Sequence, residues 1–136
     1  MGQGVTSNQE LRFVILVVED VEETRHGMER LLTSSGYQVS TAGDEEEAVL
    51  KAGLQRPDLI LVSLGLNPTL VVAIGRRLRE RAGLEENVPV VIFCAPSLDE
   101  GAEVAVEGNV YLTRPDNFDQ LRGLLSRLLR KLPQAC

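Results

Sequence analysis

The chain has 136 residues, 43% of them hydrophobic, and this length fits one globular domain with a sizeable core. Its formal net charge of −6 argues against binding to nucleic acid or to an anionic membrane, because both depend on clustered cationic side chains. No apolar run reaches membrane-spanning length, so we expect a cytoplasmic protein that acts through a protein partner, with no nucleic acid and no membrane contact.

Short apolar segments rich in valine and isoleucine alternate with segments of helical periodicity. In chain order, the prediction is a strand at 13–18, a helix at 22–34, a strand at 38–41, a helix at 44–55, a strand at 59–62, a helix at 70–82, a strand at 88–93, a short helix at 98–106, a strand at 110–113 and a helix at 117–132. The acidic run DEEE at 44–47 indicates a capped helix start. The strict alternation predicts an α/β fold in which helices cover both faces of a parallel sheet.

The predicted domain covers residues 11–133, preceded by a flexible tail at 1–10 and followed by residues 134–136, which are a second tail or the start of a linker. There are two cysteines, Cys94 in an apolar strand and Cys136 at the end of the sequence. Two cysteines so placed do not make a disulfide framework, and free thiols agree with a reducing compartment.

Function in open parallel sheets gathers at the carboxyl ends of the strands. Here the first strand ends at Glu19 and Asp20, the third at Ser63 and the fourth at Cys94. The fifth strand ends in Thr-Arg-Pro at 113–115. The sequence therefore predicts that two acids, two small polarisable groups and one arginine converge at one edge of the sheet.

Five ordered blocks carry a family resemblance: ILVVEDVEETR, GYQVSTAGDEEEAV, PDLILVSLGLNP, VPVVIFCA and YLTRP. In this order and at these spacings they resemble a bacterial response-regulator receiver domain, over residues 12–132. The resemblance implies a flavodoxin-like, three-layer α/β/α sandwich whose five parallel strands lie in the order 2-1-3-4-5. It also implies a two-component signalling module, not an enzyme, with an acidic pocket that binds Mg²⁺ and accepts a phosphoryl group from a histidine kinase.

Carried over residue by residue, the resemblance places the acidic pair at Glu19 and Asp20 and the phosphoacceptor aspartate at Ser63. A serine has no carboxylate with which to form the acyl phosphate of a receiver. Removing one carboxylate also weakens a magnesium site, so we expect no cofactor beyond weak Mg²⁺ binding at Asp20. The chain thus resembles a degenerate pseudo-receiver in a phosphorelay-type pathway, acting by phosphorylation-independent contact with a sensor kinase or output protein. The alternative is a phosphorelay receiver that uses Ser63, Glu19 or Asp20 as an unusual phosphoacceptor.

Three further positions correspond to the switch residues and the lysine of the family. Cys94 takes the place of the switch serine or threonine, Tyr111 that of the switch aromatic, and Arg114 before Pro115 that of the lysine. Cys94 is either a small buried hydrophobe or a redox thiol. Tyr111 is either a switch or static packing. Arg114 is predicted to pair with Glu19 or Asp20, the alternative being a solvent-facing side chain, and the family suggests a cis peptide bond before Pro115.

A homodimer or partner surface is predicted on the fourth helix, fifth strand and fifth helix, here residues 98–106, 110–113 and 117–132. The resemblance implies this face. A broad stripe of leucines at 121, 124, 125, 128, 129 and 132 supports it, because some of this apolar surface is expected to remain uncovered. The alternative is that the domain core absorbs every leucine.

Overall fold

A computed structural model describes residues 12–65, 67–93 and 98–130 of the chain. It contains six strands: β1 (Val14–Glu19), β2 (Gln38–Ala42), β3 (Leu59–Ser63), β4 (Val90–Phe93), β5 (Glu103–Val106) and β6 (Val110–Thr113). The four helices are α1 (Glu22–Ser34), α2 (Glu45–Leu54), α3 (Pro68–Arg81) and α4 (Phe118–Arg130). None of these helices combines the length and hydrophobicity needed to span a membrane.

The strands form one sheet in the order β2-β1-β3-β4-β6-β5. All neighbours are parallel except β5 and β6, which are antiparallel. The α/β architecture and the parallel order are therefore confirmed, with β6 in the fifth place, but the sheet has six strands instead of five. One hydrophobic cluster packs α2 and α3 on one face, and a second packs α1 and α4 on the other, as expected for central strands that are apolar on both faces.

The predicted helix at 98–106 is wrong, because this part of the chain contains strand β5. Its sequence, Glu-Val-Ala-Val, alternates polar or small residues with valine and pairs with β6 from Glu103 opposite Thr113 to Val106 opposite Val110. Gly108 and Asn109 between the strands have positive φ angles of 81° and 62°, which suit the tight turns of hairpins. The predicted dimer surface therefore has no helix at this position and presents a strand instead.

Two arginines of α3 hold the turn of this hairpin. Arg79 is only 6% exposed, and its guanidinium donates to the carbonyl of Gly108 at 2.6 Å and to that of Val88 at 2.9 Å. The exposed Arg76 donates to the carbonyl of Glu107. Burial lowers the pKa of Arg79, and the charge of Glu86 opposes this shift. The guanidinium itself donates to backbone carbonyls and makes no ion pair with a described residue. The hairpin is thus tied to the body of the domain by hydrogen bonds between distant parts of the chain.

The leucine stripe of α4 faces inward. All five of its leucines within the described part of the helix are at most 4% exposed: Leu121, Leu124, Leu125, Leu128 and Leu129. Leu132 lies outside the described residues. For these five leucines, the expectation that they leave apolar surface for a partner is therefore wrong, because they pack against the face of the sheet formed by β1, β3 and β4.

The start of α2 matches the prediction for the acidic run. Asp44 caps the helix by accepting from the backbone N–H of Glu47 at 2.8 Å, and the Glu47 carboxylate accepts from the N–H of Gly43 at 2.8 Å. This arrangement resembles a capping box, except that the bond back from Glu47 goes to the residue before the cap. It fixes the loop after β2, which lies beside the carboxyl end of β1.

Gly75 marks a close approach between α3 and β4. A Cβ atom at this buried position would lie 2.8 Å from Cγ1 of Val90, whose branched side chain has little freedom to move. We expect Gly75→Ala to lower the free energy of unfolding by about 1–2 kcal/mol, because overpacking outweighs the gain in helix propensity.

The matched control is Gly123→Ala in α4, where nothing lies within 4 Å of the added Cβ and the position is exposed. This variant should be stabilised by roughly 0.5–1 kcal/mol. Urea denaturation of both variants gives the comparison, and stabilisation of both by similar amounts would show that α3 and β4 have room between them.

Candidate functional site

The carboxyl ends of β1 and β3 bring two of the predicted site residues side by side. Glu19 is the last residue of β1 and Ser63 the last of β3, and they are directly paired in the parallel register. Asp20 follows at once in the turn before α1 and is exposed. The prediction that these three residues share one edge of the sheet is therefore confirmed by the strand pairing, since parallel strands end on the same side.

The two acids differ in their surroundings. Glu19 is 4% exposed, and its Oε2 accepts a hydrogen bond from the backbone N–H of Val21 at 3.0 Å, just before the start of α1. A carboxylate at this position is stabilised by the unpaired N–H groups of a helix start. Asp20 has no such burial. Glu19 is consequently committed to holding the β1–α1 turn, whereas Asp20 is the acid that a solute can reach.

Arg25 is a site residue that the sequence reasoning missed. Its Nη1 donates to the carbonyl oxygen of Glu19 at 2.8 Å. The same atom lies 3.1 Å from the position that a Cβ on Gly43 would occupy, so the loop after β2 also packs against it. Arg25 lies in the first turn of α1, six residues after Glu19. A long basic side chain so soon after the acidic pair was the signal in the sequence that could have identified it. It sets a permanent positive charge beside the acidic pair.

Arg114 does not make the predicted ion pair. Its Nη1 donates to the carbonyl of Leu98 at 2.8 Å, and its backbone N–H donates to the carbonyl of Ala102 at 3.0 Å. Within the part of the chain that the structure describes, no ion pair joins it to Glu19 or Asp20. The guanidinium instead binds the segment that leads into β5, because the Leu98 carbonyl of that segment lies nearer to it than the carboxylates of Glu19 and Asp20 do.

The remaining predicted positions lie around β6. The Tyr111 hydroxyl donates to Oδ1 of Asn109 at 2.8 Å, and its partly buried ring packs in the cluster under α1 and α4. This contact is the one expected of static packing. The peptide bond between Arg114 and Pro115 is trans, so the suggested cis bond is wrong. Cys94 lies outside the described residues.

The donor set is a poor fit for a magnesium ion. Mg²⁺ demands near-ideal octahedral oxygen ligation. Here one oxygen of the buried Glu19 is already engaged, and β3 supplies the hydroxyl of Ser63 where a third carboxylate would complete the set. Over residues 12–65, 67–93 and 98–130, no group of three or more acidic, histidine or cysteine side chains is arranged to hold a metal. No chemical step at this site is therefore assigned to a metal.

The open parallel sheet with acids at the carboxyl end of its first strand defines a signalling module of the receiver class. The response regulator receiver domain family matches residues 15–126, and the chain belongs to this family. Receiver domains function in two-component signal transduction by interacting with kinases and output proteins, and they are not enzymes in their own right.

Two relatives and two solved structures illustrate the similarity. The transcriptional regulatory protein PrrA of Mycobacterium tuberculosis is 31% identical over 133 residues, which cover 96% of this chain and 54% of PrrA. The transcriptional regulatory protein KdpE of Staphylococcus aureus is 27% identical over 123 residues, which cover 89% of this chain and 51% of KdpE. The chain thus spans about half the length of these relatives.

Among solved structures, the receiver domain of the sensor histidine kinase PA1611 from Pseudomonas aeruginosa PAO1 has a magnesium ion coordinated in its active site cleft. It superimposes with a TM-score of 0.64 and 28% identity, covering 88% of this chain and 99% of that chain. The receiver domain of the hybrid histidine kinase CckA gives a TM-score of 0.61 and 27% identity, covering 85% and 98%.

Proposed function

We propose that this chain is a pseudo-receiver, which transmits a two-component signal by protein contact without forming an acyl phosphate. The observation that carries the proposal is Ser63 at the carboxyl end of β3, beside Glu19, where the family resemblance expects the phosphoacceptor aspartate. A hydroxyl requires a general base to become a nucleophile, and its product is a stable ester instead of a reactive anhydride. The partner is a sensor kinase or an output protein, and the setting is the cytoplasm.

The surroundings of the neighbouring acids support this proposal. Glu19 is buried and engaged by the N–H of Val21, so an incoming phosphoryl donor does not reach it without opening the β1–α1 turn. The Arg25 guanidinium donates a hydrogen bond to the backbone carbonyl of Glu19. Its fixed positive charge thus lies near the two acids, although its hydrogen bond goes to a backbone carbonyl and not to a carboxylate. Mg²⁺ binding is therefore proposed to be weak and confined to Asp20.

The proposal is tested by incubating the protein with acetyl phosphate and Mg²⁺ and measuring its intact mass. We expect no gain of a phosphoryl group on the wild type. We also expect Mg²⁺ to bind at least tenfold more weakly than to Ser63→Asp, because a third carboxylate adds charge and an oxygen ligand to the site. Isothermal titration with Mg²⁺ gives the second comparison.

Ser63→Ala is the matched control, since it removes the hydroxyl without adding a carboxylate. It should behave as the wild type does in both measurements. A stoichiometric phosphoryl group on the wild type that is lost in base would overturn the proposal. Equal Mg²⁺ affinity of wild type and Ser63→Asp would remove its electrostatic basis.

One observation favours a second candidate, a phosphorelay receiver with an unusual acceptor. Asp20 is an exposed carboxylate in the turn that follows Glu19, and Glu19 is the residue paired with Ser63 on the neighbouring strand. In this case the phosphoryl group would be labile to base and absent from Asp20→Asn but present on Ser63→Ala. A base-stable group that disappears in Ser63→Ala would instead indicate a serine ester, made by a separate kinase.

A further inference from the structure

Strand β5 is an edge of the sheet. It pairs with β6 on one side, and no strand formed by residues 12–65, 67–93 or 98–130 lies on its other side. Glu103, Val104 and Ala105 are exposed, and Val104 is 40% exposed. An edge strand presents unpaired backbone N–H and C=O groups, and such an edge is a template for the addition of another strand.

The backbone hydrogen bonds identify which groups are free. The N–H of Arg114 donates to the carbonyl of Ala102, so residues 102, 104 and 106 direct their backbone groups toward β6. By the same alternation, the N–H and C=O groups of Glu103 and Ala105 point away from the sheet. Within the described part of the chain, no hydrogen bond engages the N–H of either residue. Two residues of β5 thus offer a donor and an acceptor each along the edge.

The charge of the edge restricts what it can pair with. Residues 99–107 contain four acids and no lysine or arginine. Arg127 of α4 neutralises Glu103 through a 3.0 Å ion pair. The other three acids, Asp99, Glu100 and Glu107, are exposed at the two ends of β5 and make no ion pair with a described residue. The exposed guanidinium of Arg76 lies at the Glu107 end, where it donates to the Glu107 carbonyl. Asp99 and Glu100, at the other end, are therefore the acids that favour a basic strand and oppose an acidic one.

We propose that β5 takes up an extended segment of a partner protein, carrying lysine or arginine, as a seventh strand of the sheet. Main-chain hydrogen bonds to Glu103 and Ala105 supply the pairing, and the exposed Val104 offers an apolar contact on the α3 side. Asp99 and Glu100 select a basic side chain near the end of that segment that lies beside them. This proposal rests on the proposed function, signalling by protein contact, and adds to it the surface and the chemistry of that contact.

A second copy of this chain is the less favoured occupant of the edge. Pairing β5 with β5 brings Asp99, Glu100 and Glu107 of one copy close to the same three acids of the other, and like charges on neighbouring strands are destabilising. The strand is also only four residues long, which limits the pairing that two copies gain. Both features protect the protein against self-association while leaving the edge open to a basic partner.

The test uses two fluorescent peptides, one of alternating lysine and valine and one of alternating glutamate and valine. We expect the lysine peptide to bind with 1:1 stoichiometry in fluorescence anisotropy, and more weakly as salt is raised. The glutamate peptide should bind at least tenfold more weakly. Binding of the lysine peptide should slow hydrogen exchange at the amides of Glu103 and Ala105.

Ala105→Pro removes the outward N–H and leaves the bonds to β6 intact, because proline is tolerated at outward positions of edge strands. It should weaken binding of the lysine peptide roughly tenfold. The matched control, Ala105→Ser, keeps the N–H and should bind as the wild type does. A second variant, Glu100→Lys with Glu107→Lys, changes only exposed side chains and should reverse the preference between the two peptides.

Failure of the lysine peptide to bind would overturn the proposal, and so would equal binding to a folded Ala105→Pro variant. Sedimentation that shows a dimer lost in Ala105→Pro would overturn it in favour of a second copy. No phosphoryl donor is present in these measurements. A negative result at β5 therefore leaves the acetyl phosphate result standing, and uptake of phosphate at the acidic site leaves the peptide result standing.

Discussion

Replacing Arg79 by alanine is expected to lower the free energy of unfolding by about 3 kcal/mol. The guanidinium donates to the carbonyls of Val88 and Gly108 at 2.9 and 2.6 Å, with longer contacts of 3.5 Å to those of Glu86 and Asn109. Hydrogen bonds to a charged donor are the stronger ones, and truncation leaves these carbonyls without their partner. The loss stays below the sum of the bonds, because removing a buried charge also removes its desolvation cost.

Arg79→Lys is the informative companion variant. It keeps the positive charge but lacks the planar fork that reaches several carbonyls at once, so it should lose most of the same stability. Arg76→Ala is the matched control on the same helix, since Arg76 is exposed and, among the described residues, donates only to the carbonyl of Glu107. It should lose far less. Urea denaturation gives the free energy of unfolding of all three variants, provided that their m-values are equal. An Arg79→Ala variant as stable as Arg76→Ala would contradict the role of Arg79 in holding the β5–β6 turn.

Leu125→Ala in α4 is expected to cost about 3 kcal/mol of stability. Leu125 is fully buried and belongs to the cluster that joins α4 to the sheet through residues such as Ile15 and Leu61. Its truncation leaves a cavity in a close-packed region, which adds to the lost burial of the methyl groups. Thermal and urea unfolding measure the change.

Leu54→Ala provides the control, because Leu54 is 83% exposed at the end of α2. Its stability should stay within about 0.5 kcal/mol of the wild type. Sedimentation of both variants measures association, which distinguishes a core role of Leu125 from a role in an interface. If Leu125→Ala left stability unchanged but altered association with a partner or a second copy, the inward orientation of the α4 leucines would be contradicted.

The layered fold was predictable because its central strands are stable only in the middle layer, with helices on both sides. Runs such as 15–18 and 59–62 are apolar at every position, so they need cover on both faces, and only a parallel sheet between helices provides it. The same reasoning placed Glu19 and Ser63 at one edge, because the ends of parallel strands meet there.

The segment between β4 and β6 was not predictable from the same evidence. Its signals for a hairpin were present, in the alternation of residues 103–106 and in Gly108 followed by Asn109. A four-residue alternating run is too short to exclude a helical turn, and the regular alternation of the chain favoured a helix. Pairing with β6 decides the outcome, since only beside that strand does β5 gain backbone partners and does Val106 pack against the core.

The sequence by itself determined which chemical groups stand at the site: an acidic pair after β1 and a hydroxyl, with no carboxylate, after β3. Only the tertiary structure decided which acceptor each arginine side chain binds. Arg25 contacts the turn of the acidic pair, Arg114 turns to the carbonyl of Leu98, and Arg79 reaches a turn 29 residues away. The physical reason is that a guanidinium on a long side chain bonds whichever acceptors folding brings within reach, and those acceptors lie on elements far apart in sequence.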